Sequence, residues 1–175
     1  MVSRKAPIKR RKKPILQNKP HRRANPSGVA RLRNLEMFAK KGLKGRKISA
    51  IYEIGKISGT KELQPEACRI LKDILSHERD PDVVSYVAKA LINIRYGGGA
   101  DLLIQIIRRH AAEHERPLRT LAIDGIGSLA SVMDKKQLEH AYFQLEEIKK
   151  SYKPGSIDWV YIDKALKKLR ARMEL

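Results

Sequence analysis

The chain has 175 residues, room for one domain with a hydrophobic core and too little for two. Its single cysteine, Cys68, excludes an intramolecular disulfide and a cysteine-built zinc site, and no apolar run approaches the roughly 18 residues that a bilayer span requires. The formal charge of +19 is unevenly placed: residues 1–47 hold 17 of the 38 Lys/Arg and one acid, Glu36, whereas residues 48–175 hold 21 Lys/Arg and 18 acids. Such asymmetry points to a polyanionic partner.

Residues 1–26 read MVSRKAPIKRRKKPILQNKPHRRANP, with four prolines, ten Lys/Arg and few apolar side chains. This stretch cannot bury enough surface to fold alone. Pro7, Pro14, Pro20 and Pro26 each remove a backbone donor and bias the preceding residue to extended conformations, so an extended, disordered basic arm is expected. The row Lys9-Arg10-Arg11-Lys12-Lys13, flanked by Arg4, Lys5, Lys19, Arg22 and Arg23, suits a ligand whose phosphates recur every few ångströms, because displaced counterions supply affinity. The arm has no Phe, Tyr or Trp on which bases could stack, so it should track backbone without reading sequence. Short basic runs also serve nuclear import, and the two uses are compatible. A transit peptide fits poorly, since the segment is richer in Lys and Pro than in Ser and forms no amphipathic helix. The charge continues through Arg31, Arg33, Lys40, Lys41, Lys44, Arg46 and Lys47, where Leu32, Leu35, Met37 and Phe38 supply enough apolar surface for a docked helix.

Beyond Pro26 the pattern is helical and repeats. Aligning Ile54, Leu91 and Ile126 brings residues 44–59, 80–95 and 116–131 into register, at offsets of 37 (54 to 91) and 35 (91 to 126). Apolar or small residues then coincide at Ala50, Val87 and Ala122, and at Ile57, Ile94 and Leu129. Between these segments the spacing predicts helices over 65–77 and 100–114, then 135–152, with 27–41 in front and 157–173 behind completing four pairs. Pro65, Pro81 and Pro117 stand near helix starts, and Gly42, Gly45, Gly59 and Gly97 to Gly99 stand in turns. Helix pairs at this period imply an all-α solenoid over residues 27–175, whose pairs bury their apolar faces only by stacking.

The segments DPDVVSYVAKAL and RPLRTLAIDGIGSL resemble the second helix of HEAT-like repeats, which run Asp-Pro, then Val-Arg, then Ala-x-x-Ala-Leu-Gly-x-Ile. Ile54-Gly55-Lys56-Ile57 and Ile126-Gly127-Ser128-Leu129 match its end, Leu91-Ile92-Asn93-Ile94 replaces the glycine, and the Arg position holds Lys47, Val84 and Arg119. The resemblance covers about residues 27–173 and implies fold more than function, because HEAT-like proteins include scaffolds, nucleic-acid binders, adaptors and a few enzymes.

Other motifs have weaker functional readings. His110-Ala111-Ala112-Glu113-His114 matches the inverted zincin pattern, which places two His one turn apart on a helix, but no third ligand is marked. Asp124, Asp158, Trp159 and Asp163 are the candidates for a HEAT-like DNA glycosylase site, and a single tryptophan makes a poor base pocket. Cys68, beside Ala67 and Ile70, reads as packed. The expectation is a non-catalytic protein with no cofactor or metal, cytoplasmic or, in a eukaryote, nuclear. It grips RNA through residues 1–47, as ribosomal and ribonucleoprotein components with Lys/Arg/Pro-rich extensions do. DNA is the rival ligand, and a protein scaffold using its concave face is the rival function.

Overall fold

A computed structural model describes residues 28–57 and 61–174, so the expected arm over 1–26 lies outside the described residues. Among those described there are eight α-helices and no strand: α1 (Gly28–Lys41), α2 (Lys44–Ile57), α3 (Gln64–His77), α4 (Pro81–Ile94), α5 (Ala100–Arg109), α6 (Arg116–Leu129), α7 (Lys135–Lys149) and α8 (Ile157–Met173). Short 3-10 turns lie at Lys61–Leu63, Gly97–Gly99, Glu113–Glu115 and Ala130–Val132.

Local chemistry sets these limits. Asp80 accepts from the backbone N–H of Asp82 at 2.9 Å and Pro81 opens α4, where its missing donor costs nothing. Asp134 and Gln137 form a reciprocal capping box at the start of α7, each side chain accepting from the other's backbone N–H, at 2.9 and 3.0 Å. Ser156 accepts from the N–H of Trp159 at the start of α8. Helix α4 closes on Arg95 in the left-handed conformation, φ 52°.

Each odd-numbered helix packs on the even-numbered helix that follows it, and α2, α4, α6 and α8 pack one on the next in series. On the other side α1 meets α3 and α5 meets α7. The aligned positions Ile54, Leu91 and Ile126 are buried, as are Ala50, Val87 and Ala122, and α8 continues the seam with Ile162, Ala165, Leu166 and Leu169. A buried aliphatic side chain of this size contributes about 1.5–3 kcal/mol, against about 0–1 for an exposed ion pair. The aliphatic seam therefore holds the stack together. Its spacing depends on Gly55, where an added Cβ would stand 3.0 Å from the Cα of Ala90 on α4.

The helix expected over 100–114 is shorter than its sequence suggests. It ends at Arg109, and His110 leaves helical geometry at φ −108°, ψ 56°. Just past that end, Nη1 of Arg119 on α6 donates to the carbonyls of His110 and Ala112, at 2.9 and 2.5 Å, giving carbonyls outside the helical ladder a partner.

Candidate nucleic-acid interface

Ten of the candidate cations, Arg4, Lys5, Lys9, Arg10, Arg11, Lys12, Lys13, Lys19, Arg22 and Arg23, fall outside the described residues. The other seven lie on α1 or α2, and they divide into two groups. Arg31 meets Glu53 at 3.1 Å, Lys40 meets Glu36 at 2.8 Å and also contacts Asp73, Lys44 lies 2.8 Å from Asp80 and 2.6 Å from Asp82, and Lys47 lies 2.8 Å from Glu78. Arg33, Lys41 and Arg46 are exposed and have no ion pair among the described residues.

The paired lysines shape their neighbourhood electrostatically. The hydrogen bond from Lys44, with its positive charge, holds the Asp80 carboxyl below the usual carboxylate range, and Lys40 does the same to Asp73. Asp80 and Asp73 in turn raise the ammonium groups of Lys44 and Lys40. These pairs tie α1 and α2 to Asp73 on α3 and to the acidic residues Glu78, Asp80 and Asp82 between α3 and the first turn of α4. The Lys44 pairs are the more exposed and hence individually weak, so a phosphate can compete for that ammonium group, whereas the Lys47–Glu78 pair is half-buried.

Two cations that the charge reading missed lie on the even-numbered helices. Lys56 sits over the Tyr52 ring at 4.3 Å and Lys89 over the Tyr86 ring at 4.8 Å. A cavity of about 430 Å³ between α2, α4 and α6 is lined by Tyr52, Tyr86, Lys89, Asn93 and Leu121, among others. A tyrosine followed three or four residues later by lysine, recurring 34 residues on (52 to 86), was the available signal. A second overlooked group is the end of α8, where Lys164, Lys167, Lys168, Arg170 and Arg172 crowd into nine residues.

The remaining motif residues have the following contacts. His110 and His114 do not share a helical face, because α5 ends between Arg109 and His110. Nδ1 of His110 lies 2.7 Å from Oε1 of Glu115, and no group of three or more His, Cys, Asp or Glu among the described residues could hold a metal ion. Asp158 is buried and takes two hydrogen bonds from Arg119, at 3.3 and 3.0 Å. Asp163 accepts from Lys149 at 2.7 Å, Trp159 lies under that lysine at 4.1 Å, and the exposed Asp124 faces Lys168 at 3.4 Å. Cys68 is buried, and burial, aided by the charge of Asp101, pushes its thiol up to about 11, far from a reactive thiolate. Among the described residues no helix is long and apolar enough to cross a membrane.

No protein-family model matches the chain, and no curated protein matches it significantly.

Proposed function

We propose that this is a non-catalytic RNA-binding protein, in which a HEAT-like α-solenoid of four helix pairs carries a basic N-terminal segment that grips the phosphate backbone. The carrying observation is the charge partition: 17 Lys/Arg against one acid in residues 1–47, beside a nearly balanced remainder. Row-wise cations release condensed counterions when they meet phosphates, which gives affinity without sequence preference. Exposed Arg33, Lys41 and Arg46 would extend that grip onto the folded body, beside lysines whose ion pairs are weak enough to exchange for phosphate. The solenoid reading is supported by the serial packing of the even-numbered helices and by the coincident buried positions at the 35–37 residue period.

The test replaces Lys9, Arg10, Arg11, Lys12 and Lys13 with Gln in the full chain and measures binding to structured RNA at fixed salt. Removal of about five phosphate contacts is expected to weaken binding by at least ~100-fold and to flatten the salt dependence. Unchanged affinity refutes the reading. Competition by duplex DNA of equal length separates the two nucleic acids, since only RNA offers a 2′-hydroxyl.

A protein-docking role has its own observation in favour. Met37, Phe38 and Leu43 are 49%, 45% and 82% exposed, and Leu35, Phe38 and Ala50 help line a surface groove of about 500 Å³ between α1 and α2. The five-residue Gln variant discriminates here too, because a protein partner held on this groove would stay bound.

A further inference from the structure

We infer that the cavity between α2, α4 and α6 is a second nucleic-acid subsite, one that takes an unpaired base of single-stranded RNA between Tyr52 and Tyr86 while Lys56 and Lys89 hold the adjoining phosphates. The inference rests on the RNA-binding reading and adds what the basic segment lacks, a stacking surface.

Three observations converge on this cavity. Its volume, about 430 Å³, falls within the range of ordinary small-ligand pockets. Its walls pair aromatic rings with cations: Tyr52 is 46% exposed, Tyr86 is half-buried, and each carries a lysine over its ring. Neither lysine has an ion pair among the described residues, in contrast to Lys40, Lys44 and Lys47 on the neighbouring surface. Lys56 is held by the Tyr52 side chain, whose hydrogen bond raises its ammonium, and Lys89 rests on the Tyr86 ring; an arriving base can take either ring face while the ammonium moves to a phosphate. The third observation is Asn93, on the cavity wall one turn beyond Lys89, whose exposed side-chain amide is open to a ligand in the cavity. An amide offers a donor and an acceptor together, the complement of a base edge. Leu121 supplies the apolar wall from α6. Charge complementarity favours RNA over an apolar peptide, since Lys89 lines the cavity and Lys56 stands on the Tyr52 ring beside it, in a chain already at +19.

The experiment uses the full chain and a short single-stranded RNA carrying a fluorescent purine analogue, with a duplex RNA of the same length as control. Binding of the wild type is expected to change the analogue's fluorescence through stacking. Tyr52→Ala and Tyr86→Ala should each lower single-strand affinity by about 5-fold or more and abolish the fluorescence change. Duplex affinity and the salt slope should stay unchanged. Tyr52→Phe and Tyr86→Phe should retain both signals, because stacking does not need the hydroxyl. Tyr52 is exposed enough for its alanine variant to fold, which keeps the test valid if Tyr86→Ala loses its thermal transition. A persistent fluorescence change in Tyr52→Ala with unaltered affinity overturns the subsite, and so does equal loss of duplex binding. Either result leaves the basic segment's role standing, whereas a wild type that binds neither RNA removes both.

Discussion

The guanidinium of Arg119 serves three elements at once. From α6 it reaches Asp158 on α8 with two hydrogen bonds and the carbonyls of His110 and Ala112 just past α5, while remaining 1% exposed. Removing one member of a buried pair leaves the other charged and unsolvated, so Arg119→Met is expected to cost about 3–5 kcal/mol in a urea unfolding curve. A loss under 1 kcal/mol would show that Asp158 finds solvent or another cation. Carboxyls held by lysines contribute to the acid limit. Hydrogen bonds from Lys44, Lys40 and Lys149 hold Asp80, Asp73 and Asp163 below the ordinary carboxylate range. The unfolded chain binds protons at these groups more tightly than the folded one, so their contribution is complete above about pH 4 and is lost as pH falls through the lower folded values. The urea midpoint should therefore hold steady near neutrality and decline below about pH 4. A midpoint that instead falls between about pH 5 and 7 would assign the titration to histidine.

Helix ends and helix spacing are separable from these charges. Asp134 satisfies a backbone donor at the start of α7, so Asp134→Ala should lower stability by about 1 kcal/mol with the helix content intact. Gly55 permits the approach of α2 to α4; Gly55→Leu would push side-chain atoms into the Ala90 backbone and is expected to destabilise by about 1–3 kcal/mol, more than the helix propensity of Leu returns. A neutral outcome would mean that the two helices are free to separate. Seven of the eight helices begin and end within a few residues of where periodicity, proline and glycine put them, because those signals are local. The exception is α5, which stops at Arg109, where Arg119 ten residues later holds the carbonyl of His110, a bond that no local rule reveals.

At the scale of the whole molecule the same distinction governs the candidate site. The cationic row is read from the sequence alone, because net charge is additive along it. The partners of Lys40, Lys44 and Lys47 are not, since Asp73, Asp80, Asp82 and Glu78 stand 31 to 38 residues away and reach them only through helix stacking. The Tyr52 and Tyr86 pair was hidden for the same reason: one exposed tyrosine on a helix means little until the next helix sets another beside it. Folding thus neutralises part of the cationic surface on α1 and α2 and leaves residues 1–26 as the densest unopposed charge in the sequence. A salt titration of RNA affinity tests that division most directly. If about 6–10 phosphates are engaged, affinity should drop by roughly 10³- to 10⁵-fold between about 50 and 200 mM salt, and deletion of residues 1–26 should remove most of that slope. A flat salt response, or a slope untouched by the deletion, contradicts the account.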